Sequence, residues 1–484
     1  MASCALAISF FPWPLHFLSC GALVPLFLLI ETKNNKKVFW TGFFFGFCFS
    51  IFLLFWLIFL QVPLTIKAWL IFGFFLLSAF IGFYFATFTL LTSWLGLTWA
   101  PLVLITLEYI RSIGEIGFPW GVLGYSIVPY TPIIQIAAVF GIWGISFWIV
   151  LVNLALHRLI KVWSISKLRL PVLLYLIGLI LVPLLYGILR IEKNQPGAIR
   201  VAIIQPNIDP NLKSTREMKQ KMFDILRDDA KSIKELNVDM IILPETALPV
   251  NIEREPIYYN QVKSISDSTH CAILTGSLLY ERSEKSFEVY NGAVFFKPDS
   301  GIVEKYRKIH LVPFSEKIPY SRFIPFLRKL DFGGGDFTHG KEYVIFKLKG
   351  EKFATLICFE SIFGDLTRKF ILKGADILVN ITNDGWFGDT PGPYQHADMA
   401  IIRAVENRVP LVRCANTGIS MIVDQYGRII KKTPIFEKAL ITGDIPNGSR
   451  DSFYTRFGDF LPLISLLTTV VLIILRAFGI LDKS

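Results

Sequence analysis

The chain has 484 residues and a formal net charge of +11; 53% of its residues are hydrophobic, 43 of them phenylalanine. That balance excludes an ordinary water-soluble globular protein and a disordered one. The Lys and Arg residues flank apolar runs instead of forming a block, which points to a membrane surface and away from nucleic acid.

Residues 1–11 are apolar but too short to span, and no Lys or Arg precedes them as in a secretory signal. They are expected to be half a helix, or the rest of a first span that starts upstream. A span needs about 20 apolar residues, and runs near 14–31, 38–60, 68–91, 94–110, 132–156, 171–190 and 457–478 qualify. Loop 32–37 carries Lys33, Lys36 and Lys37, and loop 157–170 carries Arg158, Lys161, Lys167 and Arg169. Both are therefore expected on the cytoplasmic side. Loop 61–67 has only Lys67, and 111–131 sets Arg111 against Glu115. Counting spans onward places 192–455 outside and the tail, with Arg476 and Lys483, inside. Glu108 and Arg111 stand i and i+3 on one helix face and are expected to pair inside the bundle. The expected division is a transmembrane bundle over 1–191, a water-facing domain over 192–455 and a closing anchor over 456–484.

Within the polar stretch, strands are predicted at 200–205, 238–243, 271–279, 292–297, 352–357, 377–381, 411–413 and 420–424. Helices are predicted near 214–236, 256–268, 361–373 and 395–408. Strands mixed with helices imply one layered α/β domain. Near-continuous apolar strands such as MIILP and DILVN imply sheets buried on both faces. The six cysteines (Cys4, Cys20, Cys48, Cys271, Cys358 and Cys414) show no CxxC pair or regular framework. Neither a zinc site nor a disulfide scaffold is expected, and no cofactor; a Cys271–Cys414 bridge stays open.

Three apolar segments end in residues that carry chemistry. MIILPETALP places Glu245 just beyond Pro244, YRKIHLVPFSE carries Lys308, His310 and Glu316, and TLICFESIFGD carries Cys358. Singly, each has a plain structural reading: a turn cap, an alternating surface strand, and a buried small hydrophobe. Together they make a mechanism. A thiol is mostly neutral at pH 7 and needs activation, which a helix starting just after Cys358 would supply in part. Glu245 would serve as general base, and Lys308 with the backbone N–H of Phe359 would hold an oxyanion. Cys358 would carry a thioester that a second nucleophile opens.

The order and spacing of Glu245, Lys308 and Cys358 resemble the Glu–Lys–Cys triad of the nitrilase superfamily. The strings HLVPFSE, NDGWFG, PYQH, RAVENRVPLVRCANTGIS and YTRFGD resemble its membrane-embedded branch, the apolipoprotein N-acyltransferase family. The resemblance implies a multi-span helical bundle plus an extracytoplasmic α/β/β/α sandwich. It implies transfer of an acyl chain from a phospholipid, typically phosphatidylethanolamine, through Cys358 to the N-terminal S-diacylglyceryl-cysteine of a lipoprotein. The expected setting is the bacterial inner membrane, with the catalytic domain on the periplasmic side and the protein a monomer. By position, Glu316 is expected to orient Lys308 or the incoming amine, and Glu360 to support the site. Asn383, Asp384 and Trp386 are expected to shape a loop over it, with Asn383 and Trp386 as candidate substrate contacts; His396 reads as a loop anchor and, second, as a candidate substrate contact; His310 reads as structural. Phe359 departs from the family's frequent Tyr, and Asn211 and Ser214 depart from its Gln and Trp. Phe323–Leu330, followed by Gly333–Gly335, reads as a membrane-dipping arm, and Gly117–Gly121 as a loop lining the lipid entrance. Two other functions share these residues: a membrane-tethered amidase that uses water as second nucleophile, and an inactive lipoprotein-binding protein.

Overall fold

The computed structural model describes residues 1–31, 34–62, 64–209, 215–282, 287–321 and 336–480. The expected arm at 323–330, Gly333–Gly335, Asn211 and Ser214 lie outside them. Two compact units are present: Met1–Glu192 with Ser452–Ser484, and Lys193–Asp451.

In the first unit, five helices are long and apolar enough to cross a membrane: Asn35–Phe59, Ile66–Leu95, Ala137–Lys161, Ser166–Arg190 and Phe460–Ala477. Two of the runs expected to span are interrupted. The 14–31 run breaks into a 3-10 turn, His16–Cys20, and a short helix, Val24–Ile30, with Pro25 in its first turn. Backbone groups freed by a break at membrane depth need partners inside the protein. Asn153 supplies them: its Oδ1 accepts from the Leu23 N–H at 2.9 Å, and its Nδ2 donates to the Ser19 carbonyl at 2.9 Å. The 94–110 run is interrupted by Gly96, whose φ is 106°. A helix then covers only Ala100–Ser112, 13 residues and about 20 Å at 1.5 Å per residue.

Glu108 and Arg111 are spent on a loop instead of on each other. Arg111 Nη1 donates to the carbonyls of Phe118 (3.1 Å) and Trp120 (2.6 Å), and Glu108 Oε1 accepts from the Leu123 N–H at 2.8 Å. Ser146 Oγ accepts from Gly124 N–H at 2.9 Å. These groups satisfy the buried irregular backbone around Trp120–Gly124, as the low-dielectric setting requires. All six cysteines are free, so no Cys271–Cys414 bridge forms.

The second unit is built on thirteen described strands: β1 (Pro196–Gln205), β2 (Met240–Ile242), β3 (Leu248–Asn251), β4 (Ala272–Arg282), β5 (Phe287–Lys297), β6 (Gly301–Arg307), β7 (Phe346–Leu348), β8 (Glu351–Ile357), β9 (Ile377–Thr382), β10 (Leu411–Ala415), β11 (Met421–Val423), β12 (Ile429–Lys432) and β13 (Ala439–Pro446). One sheet runs β13-β1-β2-β4-β5-β6, with β3 also on β4; the other runs β12-β11-β10-β9-β8-β7. The central pairs β1–β2, β2–β4, β8–β9 and β9–β10 are parallel.

Side-chain alternation divides each central strand between two layers. Ala202, Ile204, Ile241, Ile273 and Phe296 pack with Met222, Phe223, Leu226 and Val262, which belong to the helices Arg216–Ile233 and Pro256–Thr269. From the opposite face of β5, Phe295 meets Phe346 of β7 and Phe353 of β8, with ring centroids 5.5 and 5.2 Å apart. The second sheet is covered by Gly364–Leu372 and by the almost wholly buried Gly392–Asn407 helix. The fold is the expected α/β/β/α sandwich.

Candidate active site

The carboxyl ends of parallel strands are where such sheets place their ligands. Here β2, β8 and β9 end within one or a few residues of Glu245, Cys358 and Asn383, and β6 ends immediately before Lys308. Pro244 takes the chain out of β2 and turns Glu245 away from the ladder. The turn passes so close to β4 that a Cβ on Gly276 would lie 2.3 Å from the Thr246 nitrogen and 2.7 Å from the Glu245 Cα.

Lys308 is fully buried, its Nζ 2.9 Å from the Glu316 carboxylate and 3.6 Å from Glu245. Burial opposes its charge, but Glu316 and Glu245 outweigh that and hold the ammonium well above its ordinary pKa. At an effective dielectric of about 20, each attraction is worth roughly 4–6 kcal/mol before desolvation is subtracted. Asn291 sets the spacing of the two acids: its Nδ2 donates to Glu245 (2.8 Å) and to Glu316 (2.7 Å). The main-chain N–H of Asn383 donates to the other Glu245 oxygen at 3.0 Å, and that of Val312 to Glu316 at 2.8 Å.

Cys358 is partly exposed, between the buried Ile357 and Phe359, and takes a left-handed backbone at φ 51°. Burial of the sulfur and the nearby Glu245 push its thiol up, more than Lys308 pulls it down. The α-helix expected just after Cys358 starts later. Only a 3-10 turn, Cys358–Ile362, follows, and the α-helix begins at Gly364. The resting group is therefore a neutral thiol, and a base must take its proton.

Glu360 is buried and accepts four hydrogen bonds: from Tyr306 Oη (2.7 Å), Ile309 N (2.7 Å), His310 N (3.0 Å) and Ile357 N (2.8 Å). It straps the Lys308 loop to the Cys358 turn, and burial lifts its carboxyl to about 7. His310 packs on Phe363, with centroids 3.8 Å apart, and burial pushes it down to about 4. Trp386 is 39% exposed, on the short turn Asp384–Phe387. His396, read as a loop anchor with substrate contact as the lesser alternative, is buried behind the nucleophile and bonds the 384–387 turn. Its Nδ1 is 2.9 Å from Asp384, and its Nε2 is 3.2 Å from both Ser361 Oγ and the Cys358 carbonyl. Arg413 Nη2 donates to the other Asp384 oxygen at 2.7 Å. Despite burial, Arg413 and His396 hold Asp384 well below the carboxylate range.

Two family models match the chain: carbon-nitrogen hydrolase over residues 200–453 and the apolipoprotein N-acyltransferase N-terminal domain over 2–155. The apolipoprotein N-acyltransferase of Geobacter metallireducens is 35% identical over 94% of this chain and 90% of its own length. The chain belongs to the apolipoprotein N-acyltransferase family. A second member, from Chlorobaculum tepidum, is 30% identical over 98% of this chain and 94% of its own. Among solved structures, an amidase from Nesterenkonia sp. is 18% identical, covering 54% of this chain and 94% of its own, with a TM-score of 0.41.

Asn291, Thr382 and Arg413 were not legible as site residues. Asn291 lies inside the strand EVYNGAVFF, where a lone polar residue reads as the wet face of a sheet. Its one signal was an amide at a buried strand position.

Proposed function

We propose that this protein acylates the N-terminal S-diacylglyceryl-cysteine of apolipoproteins, taking the chain from a membrane phospholipid through a thioester on Cys358. The observation that carries the reading is the cluster of Glu245, Lys308 and Cys358 at neighbouring strand ends, within a member of this family. In the first half-reaction Glu245 takes the thiol proton as sulfur attacks the ester carbonyl. Lys308 and the Phe359 N–H meet the oxyanion. The carbon–oxygen bond breaks, the lysophospholipid leaves with the proton from Glu245, and the acyl chain stays on sulfur. In the second, the amine attacks the thioester and gives its proton to Glu245; the amide forms, and the thiolate recovers the proton. Glu316 keeps Lys308 between the acids, and Glu360 keeps loop and turn in register.

Five long apolar helices suit substrates that are both lipids. The basic residues Lys36, Lys37, Arg158 and Lys161 favour a cytoplasmic side for both of their loops. That requires an even number of crossings between them. The helices Asn35–Phe59, Ile66–Leu95 and Ala137–Lys161 are three, so the apolar segment around Ala100–Ser112 is the fourth. Residues 193–451 then face the periplasmic side of a bacterial inner membrane. The donor is phosphatidylethanolamine, and the protein acts as a monomer.

The test uses detergent-solubilised protein, phosphatidylethanolamine labelled in its acyl chains and a synthetic diacylglyceryl-cysteine peptide. Labelled amide, lost in Cys358→Ala, is expected. Free fatty acid alone would favour the amidase-type reading, and no acyl movement the inactive binding protein.

A further inference from the structure

A cysteine with φ 51° occupies the left-handed region, which is strained for any residue other than glycine. Something must hold it. Two groups converge on the Cys358 carbonyl: Ser361 Oγ, donating at 2.9 Å, and His396 Nε2 at 3.2 Å, the donor in the tautomer whose Nδ1 accepts from Arg413 Nη2 at 3.1 Å. Behind the imidazole stands Asp384, itself fixed by Thr382 Oγ1 at 3.0 Å and Arg413 Nη2 at 2.7 Å. His396 and Asp384 are about 1% exposed or less, so substrate does not reach them.

The carbonyl of Cys358 and the N–H of Phe359 belong to one peptide. In a trans peptide the two are coplanar and point in opposite directions, and rotation about the bond is blocked; no peptide among the described residues is cis. A grip on the carbonyl from behind therefore aims the N–H forward.

We infer that His396, backed by Asp384, is a positioning residue that orients the 358–359 peptide and so points the Phe359 N–H at the oxyanion. This rests on Cys358 being the acyl-carrying residue. It assigns the buried histidine to the transition state for acyl transfer, through the backbone, and not to substrate binding.

The role predicts a split between two reactions of the same sulfur. Acylation develops an oxyanion; alkylation by iodoacetamide does not. In full-length protein in detergent, His396→Ala should slow acyl-enzyme formation from phosphatidylethanolamine by roughly 10- to 100-fold. KM should be unchanged, and iodoacetamide should alkylate Cys358 at the wild-type rate. His396→Gln, which keeps an N–H donor, should recover most of the acylation rate. Equal loss in both reactions, or acylation at the wild-type rate, overturns the inference. If His396→Ala does not fold, Ser361→Ala removes the other donor to the same carbonyl and must show the same split; equal loss in both reactions again overturns it. Cys358→Ala is measured alongside: acyl transfer surviving there would instead sink the reading of Cys358 on which the inference rests.

Discussion

Lys308→Met removes one charge and little volume from the centre of the site. The ammonium lies 2.9 Å from Glu316 and 3.6 Å from Glu245. At an effective dielectric of about 20 the lost attractions are roughly 6 and 5 kcal/mol. Part of this is offset because the buried cation no longer has to be desolvated, and the net cost of breaking such a group is about 3–5 kcal/mol. The two carboxylates left behind bond the same Asn291 nitrogen, so their oxygens are separated by no more than those two bond lengths end to end. Like charges so close cannot both ionise freely, and one carboxyl rises. The sign follows: a raised carboxyl favours the folded state at low pH, and that contribution is lost as pH rises through the new value. Relative to wild type, Lys308→Met should therefore unfold at a lower temperature at pH 8, with a smaller difference near pH 5.5. Acyl-enzyme formation should fall by about 10²–10³, as for loss of one oxyanion donor. Thermal unfolding in detergent at both pH values and single-turnover acylation read the two effects. Acylation at the wild-type rate would take Lys308 out of the oxyanion site, and a stability difference that does not change with pH would mean that it does not keep the two carboxylates ionised together.

Other perturbations test neighbouring parts of the account. Because burial and Glu245 raise the Cys358 thiol, its alkylation should be slow at pH 7 and climb through the alkaline range. Glu245→Gln should move that climb to lower pH while abolishing turnover, and stopped-time alkylation across pH reads this directly. Gly276→Val places a side chain against the Glu245 turn. It should cost about 10²-fold in turnover with little change in far-ultraviolet circular dichroism; normal turnover would show that the turn tolerates displacement. Asn153→Leu strands the Leu23 N–H and Ser19 carbonyl. It should cost roughly 1–3 kcal/mol for each group left unpaired, seen as earlier heat-induced aggregation in detergent, and an unchanged profile would remove Asn153 from the bundle's framework.

Glu245, Lys308 and Cys358 were readable because each follows an apolar strand that stops abruptly, at a proline in one case. Asn291 was not, since a single amide inside a strand gives no hint that two carboxylates from distant segments share it. Strand β6 was not predicted for a related reason: its exposed centre, Val303–Glu304, reads as loop until β5 is seen beside it. In the membrane unit a window of apolar residues measures hydropathy, not continuity. It joined the 14–31 and 94–110 runs across Gly21, Pro25, Gly96 and Pro101, the residues that interrupt them. The i, i+3 spacing of Glu108 and Arg111 was real, but the nearest unsatisfied groups were loop peptides. Both side chains went there.

Whether Cys358 carries the acyl chain is read by intact-protein mass spectrometry after incubation with phosphatidylethanolamine, in the absence of any acceptor. One added fatty-acyl mass is expected, which hydroxylamine removes and Cys358→Ala never acquires. A folded wild-type protein that gains no acyl mass from any phospholipid would contradict that role of Cys358.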